Sequence, residues 1–578
     1  MLSSKTYKID LSEPTLLSLF IIISFMAGIY IFGFDLIEGD PTVYFPFFPH
    51  MFDAPFSFGQ EGRISFGATS PFVAVLMASI FHISENEYQF LMFYKVFLLG
   101  VLLIFFYLMV LCIDLMEGQK RTNYKKVIAL LLIVFSSISS LYYHTVFVFE
   151  TPVVLLYSGL LFYLFLKKEY VKLLLVSPLA YLIRPEVVLL QATLGLYAIY
   201  QLYKQGKPNL CVSMMLIQFA PLVCYHWYMY EHTGRLIPTS IESRISRSDH
   251  LIGLRSYAYG LIQSYHFYIG FFFVSLLSLV ATIRPTDNKN EIAHLWVLKS
   301  AICFPIVMFC FSPTLPIRYF DFLMPIIMVF SAHILNKTDI SRETIRKLVI
   351  HKHLQLGSTK LSASLLLCFL VASITVEYFI SNEMVTDKLA LPLRMLSYTG
   401  VIFSSIYCAF INKMYRFFWF SLLGIYSMTH ITAFGPYSLD SHLNNRLDMN
   451  FGEQINSMLD QDDTLLMYEI ELQYFVDRRV LSMDGIVGNG EFLDFYKGDE
   501  SFQNAVLRNS VDFVGIDHFG MAPPMMNSKT MKLLFDNYEE MKIGDSIIVD
   551  KFKFIKVLEN NSDTKYPMWH TIFKIDYR

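Results

Sequence analysis

Seven ionisable side chains stand at the ends of long hydrophobic runs. They are Asp35 and Asp40 in FDLIEGDPTVYF, His144 and Glu150 in HTVFVFETP, Arg184 in RPE, Arg244 within an arginine-rich stretch, and Arg318 in IRYF. Charges near membrane depth are costly and are retained mainly for function. A carboxylate at 40 suits a general base that takes a proton from an acceptor hydroxyl; Asp35 is its competitor, and otherwise a contact to sugar or acceptor. Glu150 and His144 suit hydrogen bonding to a polar substrate. Arg184, Arg244 and Arg318 offer the fork geometry that phosphate oxygens accept. Each has a plainer reading. Asp40 before Pro41 also starts a helix, the acid capping it and the proline in its first turn. Glu150 before Thr151-Pro152 is also a solvated loop acid. Arg184 and Glu186 are also a structural pair, and Arg318 also snorkels to headgroups or pairs with Asp321.

These residues must be held by a membrane body. The chain of 578 residues is 54% hydrophobic and 16% charged, with mean hydropathy +0.45; soluble domains carry about 25% charge. About thirteen runs approach the ~20 apolar residues a bilayer needs. They lie near 14–34, 88–115, 127–144, 151–166, 172–184, 187–203, 209–228, 259–282, 294–312, 319–336, 361–380, 394–412 and 415–433. The run 70–83 is too short to span comfortably and reads as an interfacial or re-entrant helix. The run 172–184 reads as a half-helix ending at Arg184-Pro185-Glu186, a break tolerated where it lines protein or water. Lys and Arg collect in alternate loops, among them 120–126, 167–172, 204–207 and 337–360. That bias puts the N-terminus in the cytoplasm and, with an odd number of spans, the C-terminus outside. The loop 35–87 is then on the outer face, as is the stretch 228–258 with Arg235, Arg244, Arg247, Arg255 and no lysine.

Between Phe34 and Phe72 the first outer loop holds Asp35, Glu38, Asp40, Asp53 and Glu61 against Arg63, among many aromatics and prolines. It reads as a structured surface loop that presents a carboxylate. The seven cysteines sit in apolar runs at spacings that suit neither metal nor a disulfide framework, so they read as small buried residues. From 451 the patterning becomes that of a soluble α/β unit. Strands are expected at 463–470, 478–484 and 511–516, a helix at 501–510 and a hairpin at 546–558. The expected architecture is therefore a polytopic α-helical membrane unit over 1–450 and an extracytoplasmic α/β domain over 451–578.

Outer-face acids beside outer-face arginines, on a hydrophobic body, suit a substrate with a phosphate, a long lipid and a polar group to transfer. No nucleotide-binding motif is present or required if the sugar arrives on a lipid. No cofactor and no nucleic-acid partner is expected, and no metal ligand set is defined. Two rivals share the cavity: a lipid or glycan transporter, which predicts inverted repeats, and a catalytically silent glycan binder.

At these same places the sequence resembles the GT-C glycosyltransferases that use polyprenyl-phosphate sugars. It is most similar to the branch containing the mycobacterial terminal arabinofuranosyltransferase. The branch's Asp-Asp-Ala-Tyr-Ile-x-Phe phrase is met by Gly39-Asp40-Pro41-Thr42-Val43-Tyr44-Phe45, and its Gly-Phe-Thr-Ser-Pro-Leu by Gly67-Ala68-Thr69-Ser70-Pro71-Phe72. Glu150-Thr151-Pro152 meets the end of its Gly-x-Glu-Thr-Pro, and Arg184-Pro185-Glu186 its Thr-Arg-Pro-Glu, with Ile183 where the family has Thr. Thr233 to Ser240 matches a later loop phrase with Arg244 at its basic position, and Arg318-Tyr319-Phe320 matches loosely a further one. Asp477-Arg478-Arg479-Val480 followed by Asp484-Gly485 matches the outer domain of such relatives. Gly39 stands where the family has its first Asp, which leaves Asp40. The resemblance implies a multi-pass protein of the bacterial inner membrane and a polyprenyl-phosphate donor entering from the outer leaflet. Arg244, Arg318 and Arg184 would hold the phosphate, Asp40 would be the base, and a cell-envelope glycan or glycolipid would be the acceptor.

Overall fold

The computed structural model describes residues 70–117 and 150–238 continuously. Towards the C-terminus it describes 451–467, 478–483, 500–517, most of 528–560, and 570–577. It also describes scattered positions within 18–64, 322–329, 368–400 and 476–495. The segments 127–144, 259–282, 294–312 and 415–433, and most of 14–34, 319–336, 361–380 and 394–412, lie outside the described residues.

Ser57–Phe58 (β1) pairs antiparallel with Arg63–Ile64 (β2) within the first loop. Pro71–His82 (α1) is the expected short helix, with proline in its first turn where its missing N–H costs nothing. A tight turn leads into Glu87–Glu117 (α2). Asn86 Oδ1 accepts from the Gln89 N–H at 2.8 Å, while Gln89 Oε1 accepts from the Glu85 N–H at 2.5 Å, a near-reciprocal cap. At about 1.5 Å per residue α2 is long enough to cross a bilayer. Thr151–Leu166 (α3) packs along it. Gly159 makes that approach feasible: a Cβ there would meet Met109 Cε at 2.9 Å.

The expected half-helix is Tyr170–Val176 (α4), a 3-10 turn at Ser177–Leu179, and Ala180–Ile183 (α5). Pro178 explains the break. The Leu174 carbonyl would normally accept from residue 178, which has no N–H. Gln218 Nε2 donates to it instead, at 2.6 Å. Gln218 Oε1 in turn accepts from Ser177 Oγ (2.6 Å) and Gln191 Nε2 (2.9 Å). The Tyr157 hydroxyl lies 3.0 Å from both the Val176 and Ser177 carbonyls. The Leu174, Val176 and Ser177 carbonyls at the kink thus meet side chains from other helices, as a membrane interior favours.

Val187–Lys204 (α6) and Pro208–Thr233 (α7) follow, and α7 stops at Gly234, which takes φ 67°. Val212, Leu216, Phe219, Val223, Trp227 and Tyr230 form one exposed stripe on α7, while Cys211, Met214, Tyr225 and Met229 face inward. An apolar outer face at helical spacing is what lipid selects. Among the described residues, Tyr88–Met116 and Pro208–Thr233 are long and apolar enough to cross a membrane. The expectation of uniformly buried cysteines is corrected here: Cys112 and Cys211 are buried, but Cys224 and Cys368 are exposed. In an apolar helix, an outward cysteine meets lipid rather than core.

Among the described residues the C-terminal α/β unit includes Thr464–Met467 (β3), Arg479–Ser482 (β4), Phe502–Arg508 (α8), Phe513–Asp517 (β5), Lys529–Asn537 (α9), Ser546–Val549 (β6), Phe552–Asn560 (β7) and His570–Tyr577 (β8), preceded by helical residues 451–458. Their six strands run in the order β4-β3-β5-β8-β7-β6. β4, β3 and β5 are parallel, and the remaining pairs are antiparallel. Successive residues of β3 serve opposite faces: Leu466 joins the core under α8 and α9, and Leu465 joins Phe451, Ile455 and Leu459 on the other side. Ser501 and Ser528 cap the two helices by accepting from Asn504 N and Met531 N. α9 and β8 are additions to the elements expected from sequence. Lys556 is fully buried, and its ammonium meets the Tyr538 carbonyl (2.9 Å), the Met541 carbonyl (2.8 Å) and Glu559 Oε1 (2.9 Å).

Candidate functional site

Helix starts and stops carry the site. Pro185 forbids a helical residue before it, so Arg184 is extended (φ −164°, ψ 138°) and leaves the α5 axis. Glu150 opens α3, its carbonyl accepting from the Val153 and Val154 N–H groups. Its carboxylate does not cap the helix. It pairs instead with Arg184, Oε1 to Nη1 at 3.1 Å, and Arg184 Nε lies 3.4 Å from Glu186 Oε1. All three side chains are buried. The solvated-loop reading of Glu150 therefore fails, and the structural pairing of Arg184 with Glu186 is present with a second acid added. Within this buried trio one guanidinium meets two carboxyl groups. Such a cluster is a poor stabiliser by itself, because desolvation offsets the attraction.

Tyr94, on α2, is fully buried. Tyr44 belongs to the first loop, four residues after Asp40. It is buried. The loop is docked rather than free. Tyr44, Phe47, Phe48 and Met51 form one core with Val73, Ala74 and Met77 of α1 and Phe90 and Tyr94 of α2. Phe56 meets the Tyr225 ring edge-on at 5.7 Å, Tyr228 donates to the Pro55 carbonyl at 3.0 Å, and His82 Nε2 lies 2.9 Å from the Phe48 carbonyl. The aromatic excess of this stretch is thereby explained: it seats the loop on the ends of three helices.

Several buried polar atoms of the region have no hydrogen-bond partner among the described residues, among them Glu150 Oε2, the Thr151 and Ser158 hydroxyls and the Tyr94 hydroxyl. Lys95, beside Tyr94, is fully buried and engaged. Neither Tyr94 nor Lys95 was singled out from sequence. Lys95 carried a signal, being the sole basic residue of α2; a tyrosine in an apolar run carried none. The other sequence-expected residues, Asp35, Asp40, His144, Arg244 and Arg318, lie outside the described residues. No group of three His, Cys, Asp or Glu side chains suited to a metal occurs among the described residues.

Almost the whole chain follows the membrane GT-C fold. Solved structures that share it are those of ArnT from Cupriavidus metallidurans, a GT-C glycosyltransferase. The form bound to undecaprenyl phosphate matches at TM-score 0.55 with 10% identity, and the apo form at 0.55 with 11%; each match covers 97% of both chains. No family model matches the chain, and no curated protein matches its sequence.

Proposed function

We propose that this chain is a membrane glycosyltransferase that moves a sugar from a polyprenyl-phosphate donor to a cell-envelope glycan or glycolipid on the outer face. The observation that carries the reading is the fold shared over 97% of both chains with a structure solved with undecaprenyl phosphate. The buried acids and base gathered at the starts and ends of α3, α5 and α6 support it. In this reading Asp40 removes the acceptor proton, and Arg244 and Arg318 neutralise the charge that grows on the leaving lipid phosphate. The expectation that Arg184 joins them meets the two carboxylates that already engage it; this supports a role in aiming Glu150. Asp35 and His144 complete the contacts to sugar or acceptor. The arabinofuranosyltransferase branch enters through the sequence phrases at 39–45, 150–152 and 184–186, and the 451–578 unit positions the acceptor outside a bacterial inner membrane.

Release of polyprenyl phosphate tests the proposal. Purified full-length protein in nanodiscs is given a panel of polyprenyl-phosphate pentoses and hexoses with membrane glycan extract. One donor is expected to be consumed, and Asp40→Asn to abolish its consumption. Release that survives Asp40→Asn moves the base to Asp35 or Glu150. Binding of lipid or glycan without release from any donor supports transport or silent binding instead.

A further inference from the structure

Phe56 adopts φ 62°. Glycine and asparagine enter that region readily, and a bulky aromatic residue rarely does. Backbone strain of this kind persists where the surrounding contacts over-determine it. For Phe56 those contacts come from two directions. It packs against the core that seats Tyr44, Phe47, Phe48 and Met51 on α1 and α2. It also packs, with Tyr181, Leu182 and Tyr228, against a small second core made by Tyr225 and Met229 of α7. Its ring meets Tyr225 edge-on at 5.7 Å, and the preceding carbonyl, that of Pro55, accepts from the Tyr228 hydroxyl at 3.0 Å.

The second core holds another segment as well. α7 stops at Gly234, and the chain folds back so that His226 Nδ1 lies 2.6 Å from the Leu236 carbonyl. A carbonyl only accepts, so the ring nitrogen donates. The His226 ring sits 5.1 Å from Tyr181 and 5.8 Å from Tyr225. Leu236 opens the stretch that carries Arg244, and Phe56 lies at the far end of the stretch that carries Asp40. Two segments far apart in sequence are thus pinned to residues 225–229 of one helix, little more than a turn.

Resting on the glycosyltransferase reading above, we propose that this aromatic junction holds the Asp40 segment in register with the Arg244 segment, with Phe56 and His226 as positioning residues. Each acts through the segment it pins. Proton removal at Asp40 and charge neutralisation at Arg244 serve the same displacement, so a misplacement of about 1 Å between them costs about 100-fold. A glycine at 56 would relieve the backbone and give up the bridge between the two cores.

The test uses full-length protein in nanodiscs and the donor that the native chain consumes, with kcat and KM for release of polyprenyl phosphate read separately. Phe56→Gly is expected to lower kcat roughly 10- to 100-fold and leave KM for the donor nearly unchanged, the signature of a misplaced reacting group rather than a lost contact. Phe56→Tyr, which keeps the ring, is expected to stay near native. His226→Phe keeps the aromatic packing, loses the bond to Leu236 and is expected to lower kcat similarly. The double variant is expected to lose little more than either single one, because both release the same register. Should Phe56→Gly fail to fold, Tyr228→Phe, which removes one hydroxyl, takes its place in the cycle. Losses that multiply in the double variant, a raised KM with native kcat, or native kcat in the position-56 or position-228 variant overturn the junction while leaving the transferase reading intact. A native chain that consumes no donor overturns both.

Discussion

Two buried cations show how one structural fact can mean opposite things. Lys556 lies inside the C-terminal sheet with three donors and three acceptors, two carbonyls and Glu559. It ties the end of α9 to β7 and leaves nothing over. Arg184 lies at the stop of α5 between two carboxylates, one of which, Glu150, keeps an oxygen with no hydrogen-bond partner among the described residues. The first is a closed network, and a closed network fixes structure. The second retains hydrogen-bonding capacity at a price in stability, and spare buried capacity is what a ligand uses.

Breaking the pair of networks should separate them. Arg184→Met leaves two carboxylates buried together and is expected to cost about 3–5 kcal/mol, read as loss of folded protein in detergent. Adding Glu150→Gln and Glu186→Gln should recover much of the fold but not turnover. Lys556→Met should cost about 2–4 kcal/mol through stranded carbonyls and an unpaired Glu559. Thermal unfolding of the C-terminal unit should show it, while release of polyprenyl phosphate per folded molecule stays near native. If Lys556→Met abolishes turnover at temperatures where the sheet is intact, the contrast collapses.

A third prediction concerns the polar knot under the half-helix. Gln218→Leu strands the Leu174 carbonyl and should cost about 1–3 kcal/mol. In a Pro178→Ala background the same substitution should cost less, because residue 178 then donates to that carbonyl. Additive costs would refute the explanation of the kink. The smallest effect is expected at Gly159. Gly159→Ala meets the end of a flexible methionine, so a cost below about 1 kcal/mol is expected, whereas Gly159→Leu should part α2 from α3.

What the sequence displays and what it hides divide along the same lines. The short helix at 71–82, the half-helix ending at Arg184-Pro185-Glu186 and the strands 464–467, 479–482 and 513–517 were legible. Prolines punctuate the helices, and apolar runs bounded by polar turns mark the strands. Arg184 beside Glu186 was visible as neighbours in sequence. Glu150 as the stronger partner was not, since only packing of α3 against the later helices brings it there. β8 escaped notice because its place is set by β5, more than fifty residues earlier, and by β7. Tyr94 is disguised by its surroundings: in an apolar run its ring reads as core, and its sequence neighbours do not show that the hydroxyl is buried.

The bond from Gln218 to the Leu174 carbonyl spans 44 residues of chain. That interval sets an order on biogenesis. When the ribosome has delivered α4 and α5, their shortened apolar stretch carries a carbonyl that nothing yet made can satisfy, and the segment has poor grounds to stay in the bilayer. It becomes a settled part of the membrane only after α7 has been synthesised and swung alongside. Chains truncated before residue 218 should therefore leave the half-helix open to aqueous labelling, and extension past α7 should close it.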